Sequence, residues 1–117
     1  MEKVLKKKEV VTRFAPSPTG ALHIGGLRTA LFNYVFSKQN NGLFLVRIED
    51  TDRERSSKEY EKNILNTLTS IGLSPDKEPI NQSDRNDIYI KAAKKIFESG
   101  NAYWCDCSPE SLDEMRK

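Results

Sequence analysis

Apolar and polar positions along the chain predict strands that alternate with helices. Residues 9–14 (EVVTRF) are β-branched and apolar, and residues 43–48 (LFLVRI) form the continuous apolar run of a parallel strand buried on both faces. Between them, apolar residues recur at the helical period from residue 23 to about residue 38. Residues 102–107 (AYWCDC) are predicted as a third strand.

Capping residues and glycines predict where the helices begin and end. Ser56, followed three residues later by Glu59, is a capping-box pattern that opens the second helix. Gly42 suits a left-handed end for the first helix. Residues 73–85 are predicted as a loop, and residues 85–99 as a third helix.

The predicted order of elements is β-α-β-α-α-β-α, with a last helix that begins at Ser108. Strands that alternate with helices favour an α/β fold with a doubly wound, Rossmann-like parallel sheet. Three strands are few for such a sheet, and the sequence stops just after a helix begins. We therefore expect the first half of a larger domain.

Composition and charge narrow the function only slightly. The chain has 117 residues, 31% of them charged, and a net charge of +2. Lysines in the basic tail over residues 1–8 outweigh that excess, so the charge does not identify a nucleic-acid binder. No apolar run approaches the roughly 20 residues of a membrane span, and no signal peptide is visible. We expect a cytoplasmic protein with no membrane partner.

The stretch RFAPSPTGALHIGG, residues 13–26, joins the first strand to the first helix. Pro16 and Pro18 restrict its backbone, and a ligand can approach closely where Gly20, Gly25 and Gly26 lack a Cβ. Ligands of doubly wound sheets bind beyond the carboxyl ends of the strands, and this turn follows the first strand. The stretch is therefore a candidate binding turn.

The helix that starts near His23 offers free backbone N–H groups and the positive end of its dipole, which favour a phosphate. His23, the only histidine of the chain, can add a side-chain donor. The turn matches neither the Rossmann G-x-G-x-x-G pattern nor the P-loop pattern. A rigid connector that carries a surface histidine stays open as the alternative.

Several segments together carry a family resemblance over residues 10–117. RFAPSPTGALHIGGLRTALFNYVFS, FLVRIEDTDRERS, SDRNDIY and ESGNAYWCDCSPESLDEMR resemble, in register, the N-terminal part of bacterial-type glutamyl-tRNA synthetases, which are class I synthetases. HIGG resembles the HIGH signature of that class, with glycine in place of the second histidine. The resemblance implies a class I synthetase catalytic domain and an ATP-dependent ligase that activates glutamate and transfers it to tRNA.

The resemblance also implies a substrate for each part of the turn. ATP, a substrate that carries Mg²⁺, would lie against the HIGH-type segment, with His23 as the catalytic residue that donates to the phosphates. Chemistry of this type depends on positioning and charge stabilisation. The ATP-binding residues implied are Pro16, Ser17, Pro18, Thr19, Gly20, His23, Ile24, Gly25 and Gly26.

Glutamate recognition is implied for Arg13, Ser17 and Glu49. The guanidinium of Arg13 would grip the substrate side chain and Glu49 its α-ammonium group. A mutual salt bridge between Arg13 and Glu49 is the alternative, and spacing alone does not separate the two. The charged run EDTDRERS, residues 49–56, is expected to form internal salt bridges, and no metal is assigned to it.

Cys105 and Cys107 match a C-x-C pair that some members of the family use for zinc. A structural zinc site needs four ligands, and residues 108–117 add no Cys or His. The pair is therefore half of a zinc site at most. We expect no tight zinc in this chain, and buried strand thiols instead.

The predicted organisation is a basic tail over residues 1–8, the first half of a Rossmann-like catalytic domain over 9–104, and the start of an acceptor-binding insertion over 105–117. A KMSKS-type loop is absent from these residues, so full aminoacylation is not expected from them alone. A fragment like glutamyl-queuosine tRNA synthetase and a non-catalytic nucleotide-, tRNA- or partner-binding module stay open. An uncovered sheet would also favour self-association.

Overall fold

A computed structural model describes residues 9–116 of the chain. Strands and helices alternate over its first part, and two helices follow. The strands are β1 Val11–Phe14, β2 Leu43–Ile48 and β3 Ile80–Asn81; the helices are α1 Ile24–Gln39, α2 Lys58–Ser70, α3 Asn86–Glu98 and α4 Pro109–Met115, with a 3₁₀ turn at Ser83–Arg85.

The three strands form one parallel sheet in the order β1-β2-β3. Val11 is opposite Leu43 at the start of the first pair, and Ile48 is opposite Asn81 at the end of the second. Helices connect the strands, so the α/β fold with a parallel sheet is confirmed. The carboxyl ends of the strands meet at one edge, where the turn after β1 begins.

The third strand is not where the sequence pattern put it. Residues 102–107 form no strand, and Tyr103 and Trp104 are 86% and 87% exposed. The third strand is instead Ile80–Asn81, inside the predicted loop, so the order is β-α-β-α-β-α-α. The strand Ile80–Asn81 was missed because two residues are too few to show the alternation of a strand. Residues 102–107 have the residue types of a strand, but without a partner strand those residue types do not stabilise one.

The core lies on one face of the sheet. Along β2, Phe44, Val46 and Ile48 are buried, while the alternate residues are only half-buried. Burial of LFLVRI on both faces was therefore a wrong prediction, because the core helices pack against a single face of the sheet. The core cluster comprises Phe14, Ala30, Phe44, Val46, Ile48, Ile64, Leu68 and Leu73.

Two local predictions are wrong by one residue. After α1, Asn41 takes the left-handed conformation at φ 51°, whereas Gly42 does not. Gly42 is needed for close approach, because a Cβ there would lie 2.1 Å from the carbonyl oxygen of Val10. At α2 the capping residue is Ser57 instead of Ser56, and its hydroxyl accepts a hydrogen bond from the Tyr60 amide at 3.1 Å.

The chain divides into two compact units, which separate between Arg85 and Asn86. The first unit holds the sheet and its core. In the second, no residue from 86 to 116 is buried, although α3 has an apolar side and Phe97 lies 6.0 Å from the ring of Trp104. The predicted division into residues 9–104 and 105–117 stays a prediction, and the predicted tail lies outside the described residues.

None of the helices in the described part of the chain is long and apolar enough to cross a membrane.

Candidate functional site

The turn between β1 and α1 is tied to its neighbours by backbone hydrogen bonds. The carbonyl oxygen of Pro16 accepts from the amide of Glu49 at 2.8 Å, and that of Pro18 accepts from the amide of Ser57 at 3.0 Å. The turn is thus fixed to the end of β2 and to the start of α2. Proline lowers the entropy of holding such a turn still, because its φ is already restricted.

His23 is the N-cap of α1. Its Nδ1 accepts a hydrogen bond from the amide of Gly25 at 3.2 Å, and its carbonyl accepts from Leu27 at 3.0 Å. A ring nitrogen that accepts carries no proton, so the neutral imidazole has its hydrogen on Nε2. His23 therefore caps α1, and the cap leaves Nε2 as a donor toward a ligand.

Two amides at this helix end have no hydrogen-bond partner among the described residues. They belong to Ile24 and Gly26, which occupy the first turn of α1. Such free N–H groups, together with the positive end of the helix dipole, attract anions. Gly25 is not available in the same way, because the imidazole of His23 accepts its N–H.

The glycines of the turn serve different purposes. A Cβ on Gly25 would lie 3.0 Å from Cε1 of His23, and one on Gly26 would lie 2.9 Å from Cδ1 of Leu22. These two glycines make room for the imidazole and for Leu22. Gly20 meets nothing within 4 Å, so its side faces open space.

A cavity of about 360 Å³ opens beside the turn. It brings together six of the predicted site residues, and its described lining includes no carboxylate, which suits an anionic ligand. Thr29 also lines it, although the sequence pattern did not single that residue out. The predicted residues that line it are Arg13, Pro16, Ser17, Gly20, His23 and Gly26.

Other predicted residues lie outside this cavity. Pro18 is fully buried and lines a separate cavity of about 180 Å³. Its role is to shape the turn, because a buried ring cannot meet a ligand at the first cavity. The remaining predicted residues that do not line the 360 Å³ cavity are Thr19, Ile24, Gly25 and Glu49.

Arg13 and Glu49 form an ion pair with a third member. Nη1 of Arg13 lies 3.0 Å from Oε1 of Glu49, and Nη2 of Arg47 lies 2.6 Å from the same oxygen. The hydrogen bond from Arg47 is the main reason that the pKa of Glu49 is lowered, and Arg13 adds to it. Sequence reasoning missed Arg47, although the alternation along β2 puts it on the same sheet face as Arg13.

The charged run after β2 holds itself in place. Asp52 pairs with Arg55 at 2.6 Å, which confirms an internal salt bridge and lowers the pKa of Asp52. Asp50 accepts from the amide of Ser83 at 2.9 Å and from its hydroxyl at 2.6 Å. Burial raises the pKa of Asp50, but these hydrogen bonds outweigh it and lower the pKa below its ordinary value. Within residues 9–116 no three His, Cys, Asp or Glu side chains form a group that could hold a metal ion.

Cys105 and Cys107 are both exposed free thiols. The prediction of buried strand thiols is wrong, because residues 102–107 pair with no strand in the described structure. Hydrogen bonds from the backbone and then the side chain of Cys107 lower the pKa of Cys105. The thiols are therefore accessible to solvent.

Comparison with known proteins agrees with the resemblance. Residues 9–117 match the family model for tRNA synthetases class I (E and Q), catalytic domain. The chain is 55% identical over 116 residues to the glutamate–tRNA ligase of Carboxydothermus hydrogenoformans, covering 92% of this chain and 24% of that protein. It is 56% identical over 108 residues to glutamate–tRNA ligase 2 of Rickettsia akari, covering 92% of this chain and 23% of that protein.

Solved structures show the same likeness. The glutamate–tRNA synthetase of Elizabethkingia anophelis superimposes with a TM-score of 0.83 at 44% identity, over 93% of this chain and 24% of that one. A second match, with the same TM-score and identity, is a glutamate tRNA ligase from Elizabethkingia meningosepticum in complex with its amino acid. The chain thus spans about a quarter of the length of these relatives. From its fold, its turn and these matches, the chain belongs to the class I tRNA synthetases of the glutamate and glutamine group, within their catalytic domain.

Proposed function

We propose that the chain forms the ATP- and glutamate-binding part of a glutamate–tRNA ligase. In that reaction the carboxylate of glutamate attacks the α-phosphorus of ATP and pyrophosphate leaves. The glutamyl group then passes from the adenylate to the 3′ end of tRNA. The named relatives support this assignment over the glutamyl-queuosine alternative, because they are glutamate–tRNA ligases.

The observation that carries the proposal is the exposed N-terminus of α1 beside a cavity of about 360 Å³. The triphosphate would accept hydrogen bonds from the amides of Ile24 and Gly26 and from Nε2 of His23. These donors are already held by the turn, so little reorganisation is needed when negative charge develops on the phosphates. Ile24 thus contributes its backbone, and Gly25 holds the imidazole in place.

Glutamate would bind beside the triphosphate, at Arg13. Nη1 of Arg13 contacts Glu49, whereas Nε and Nη2 have no partner among the described residues. Those two nitrogens form one edge of the guanidinium, which can hold the side-chain carboxylate through two parallel hydrogen bonds. Glu49, kept ionised by Arg47 and Arg13, would receive the α-ammonium group, and Ser17 would border the substrate.

The remaining partners follow from the same assignment. Mg²⁺ would arrive with ATP, whose phosphate oxygens are ligands that it prefers. Cys105 and Cys107 supply two thiolates where a structural zinc needs four ligands, so we propose no tight zinc on the described residues. Because transfer of glutamate to tRNA belongs to protein synthesis, we propose a cytoplasmic location for the protein.

Glutamate-dependent exchange between ATP and pyrophosphate tests the proposal. We expect His23→Ala to lower the exchange rate by about tenfold or more, because a hydrogen bond to a charged group is lost. Arg13→Ala should raise the glutamate concentration that half-maximal exchange requires, and it should leave ATP binding intact. Arg28→Ala is the matched control, because Arg28 stacks on Phe32 and does not line the cavity.

The outcomes separate an enzyme from a binding module. Exchange that requires glutamate and depends on His23 supports the ligase assignment. ATP binding without exchange would instead support a non-catalytic module. Absence of both would contradict the proposal.

We also propose that copies of the chain associate through the open face of the sheet. Leu43 and Leu45 are only half-buried there, and such a face gains by being covered. Sedimentation equilibrium should show a mass that rises with concentration, and Leu45→Ser should reduce that rise. A strictly monomeric wild-type chain would contradict this.

A further inference from the structure

The turn before α1 has a third anchor, which is a side chain. Asn63, on α2, accepts a hydrogen bond from the amide of Leu22 through its Oδ1 at 3.2 Å. The other two anchors join backbone to backbone, at Pro16 and Pro18. Substitution cannot remove those bonds without moving the chain, whereas the third depends on the residue at position 63.

Leu22 is the residue through which the anchor acts on the site. It directly precedes His23, and its Cδ1 occupies the space that a Cβ on Gly26 would need, at 2.9 Å. Its side chain also packs against the core cluster. Fixing the backbone of Leu22 therefore limits the positions open to the imidazole of His23 and to the amide of Gly26.

Asn63 itself is outside the site. Its neighbour Ile64 lines the cavity of about 360 Å³, but Asn63 does not. Any influence of Asn63 on a ligand must therefore pass through the turn. A turn that is already ordered loses less entropy when a ligand binds, and this raises affinity without a new contact.

We propose that Asn63 is a positioning residue, which orders the end of the turn and so raises the affinity of the α1 N-terminus for the triphosphate of ATP. The affinity part rests on the proposed function. Asn63 holds the Leu22 amide before any nucleotide arrives. The hydrogen bond is exposed, so its contribution is modest and specific to this end of the turn.

Asn63→Ala and Asn66→Ala form a matched pair. Both residues are exposed asparagines on α2, so each change raises helix propensity equally, but Asn66 lies one turn further on. Without nucleotide, hydrogen exchange of the Leu22 amide, measured by nuclear magnetic resonance, should quicken by about three- to tenfold in Asn63→Ala alone. The core amides of Phe44 and Val46 should be unaffected.

The dissociation constant for ATP, measured by calorimetry, should rise by about two- to tenfold in Asn63→Ala and stay unchanged in Asn66→Ala. Asn63→Asp keeps an acceptor oxygen and should restore the slow exchange of Leu22. A loss of stability without positioning would instead speed exchange throughout the core and would not be rescued in this way.

Equal exchange of Leu22 in the wild type and in Asn63→Ala overturns the inference, as does an equal effect of Asn66→Ala. Unchanged ATP affinity despite faster exchange also overturns it. Failure of the wild-type chain to bind ATP counts against the proposed function, while the exchange comparison, made without nucleotide, still decides whether Asn63 anchors the turn.

Discussion

Helices α2 and α3 have the same length and both have an apolar side, yet they differ completely in burial. Ile64 and Leu68 of α2 are buried in the core of the first unit, whereas α3 buries no residue in the second. Periodicity predicts which side of a helix is apolar, but not whether a partner covers it. The difference teaches that helix formation and core formation are separate predictions.

The candidate site belongs to the first unit, in which helices are packed into a core. Its turn is attached to β2 and α2, both of which contribute to the core. The donors at the start of α1 are therefore held by a packed scaffold, as preorganised binding requires. The second unit offers exposed aromatic rings and thiols without comparable support.

The largest expected contrast between the units comes from paired aromatic truncations. Phe44→Ala should lower the free energy of unfolding by about 3–5 kcal/mol, because Phe44 is fully buried and leaves a cavity. Phe97→Ala, at a residue 47% exposed, should change it by less than about 1 kcal/mol. Urea denaturation measures both, with Phe44→Leu expected in between. Equal losses at the two positions would abolish the distinction.

A smaller contrast separates packed from open positions within the first unit. Gly42→Ala should lower the unfolding free energy by about 1–3 kcal/mol, because the added Cβ would meet the carbonyl oxygen of Val10. Gly20→Ala, beside the cavity, should change it by less than about 0.5 kcal/mol, because nothing lies within 4 Å. Thermal denaturation compares the two variants. A stable Gly42→Ala protein would refute the close approach at that point.

Two serine caps offer a matched test across the units. Ser57 caps α2 by accepting from Tyr60 at 3.1 Å, and Ser108 caps α4 by accepting from Ser111 at 3.2 Å. Ser57→Ala should lower the unfolding free energy of the sheet by about 0.5–2 kcal/mol. Ser108→Ala should leave that transition unchanged. Far-ultraviolet circular dichroism can follow the unfolding transition. An equal loss of stability from the two substitutions would show that the two units unfold together.

The smallest expected effect concerns acid sensitivity. Because the pKa of Glu49 in the folded chain lies below its ordinary value, Glu49 binds protons more readily in the unfolded chain. Its ion pairs therefore stabilise the fold above that value, and this stability is lost as pH falls through the lower folded pKa. In Glu49→Gln, the free energy of unfolding should therefore fall less steeply as the pH is lowered into the acid range. Glu110→Gln, in α4, should leave the pH dependence of the unfolding of the sheet as steep as in the wild type.

The sequence predicted the long elements better than the short ones. LFLVRI and the periodic helices were recognisable because several residues repeat one signal, whereas β3 has only Ile80 and Asn81. The strand predicted at residues 102–107 had suitable residue types but no partner strand in the described structure. That prediction was wrong because residue types alone do not show whether a neighbouring strand is available for pairing.

The sequence predicted those parts of the candidate site whose residues are adjacent in the chain. It did not predict the contacts between residues that only the fold brings together. His23 and the glycines stand beside one another in sequence, so their meeting at a helix end could be expected. Arg47 reaches Glu49 because both lie at the end of β2, and Asn63 reaches Leu22 across 41 positions of the chain. Only the folded structure brings that last pair together.

The most direct test of the central claim is an ATP titration followed by the backbone amide resonances of the labelled chain. If the start of α1 receives the triphosphate, the amides of Ile24 and Gly26 should shift most, and a His23→Asn variant, which keeps a capping oxygen but no imidazole, should need more ATP for the same shift. Shifts confined to residues 86–116, with the start of α1 unmoved, would contradict the account.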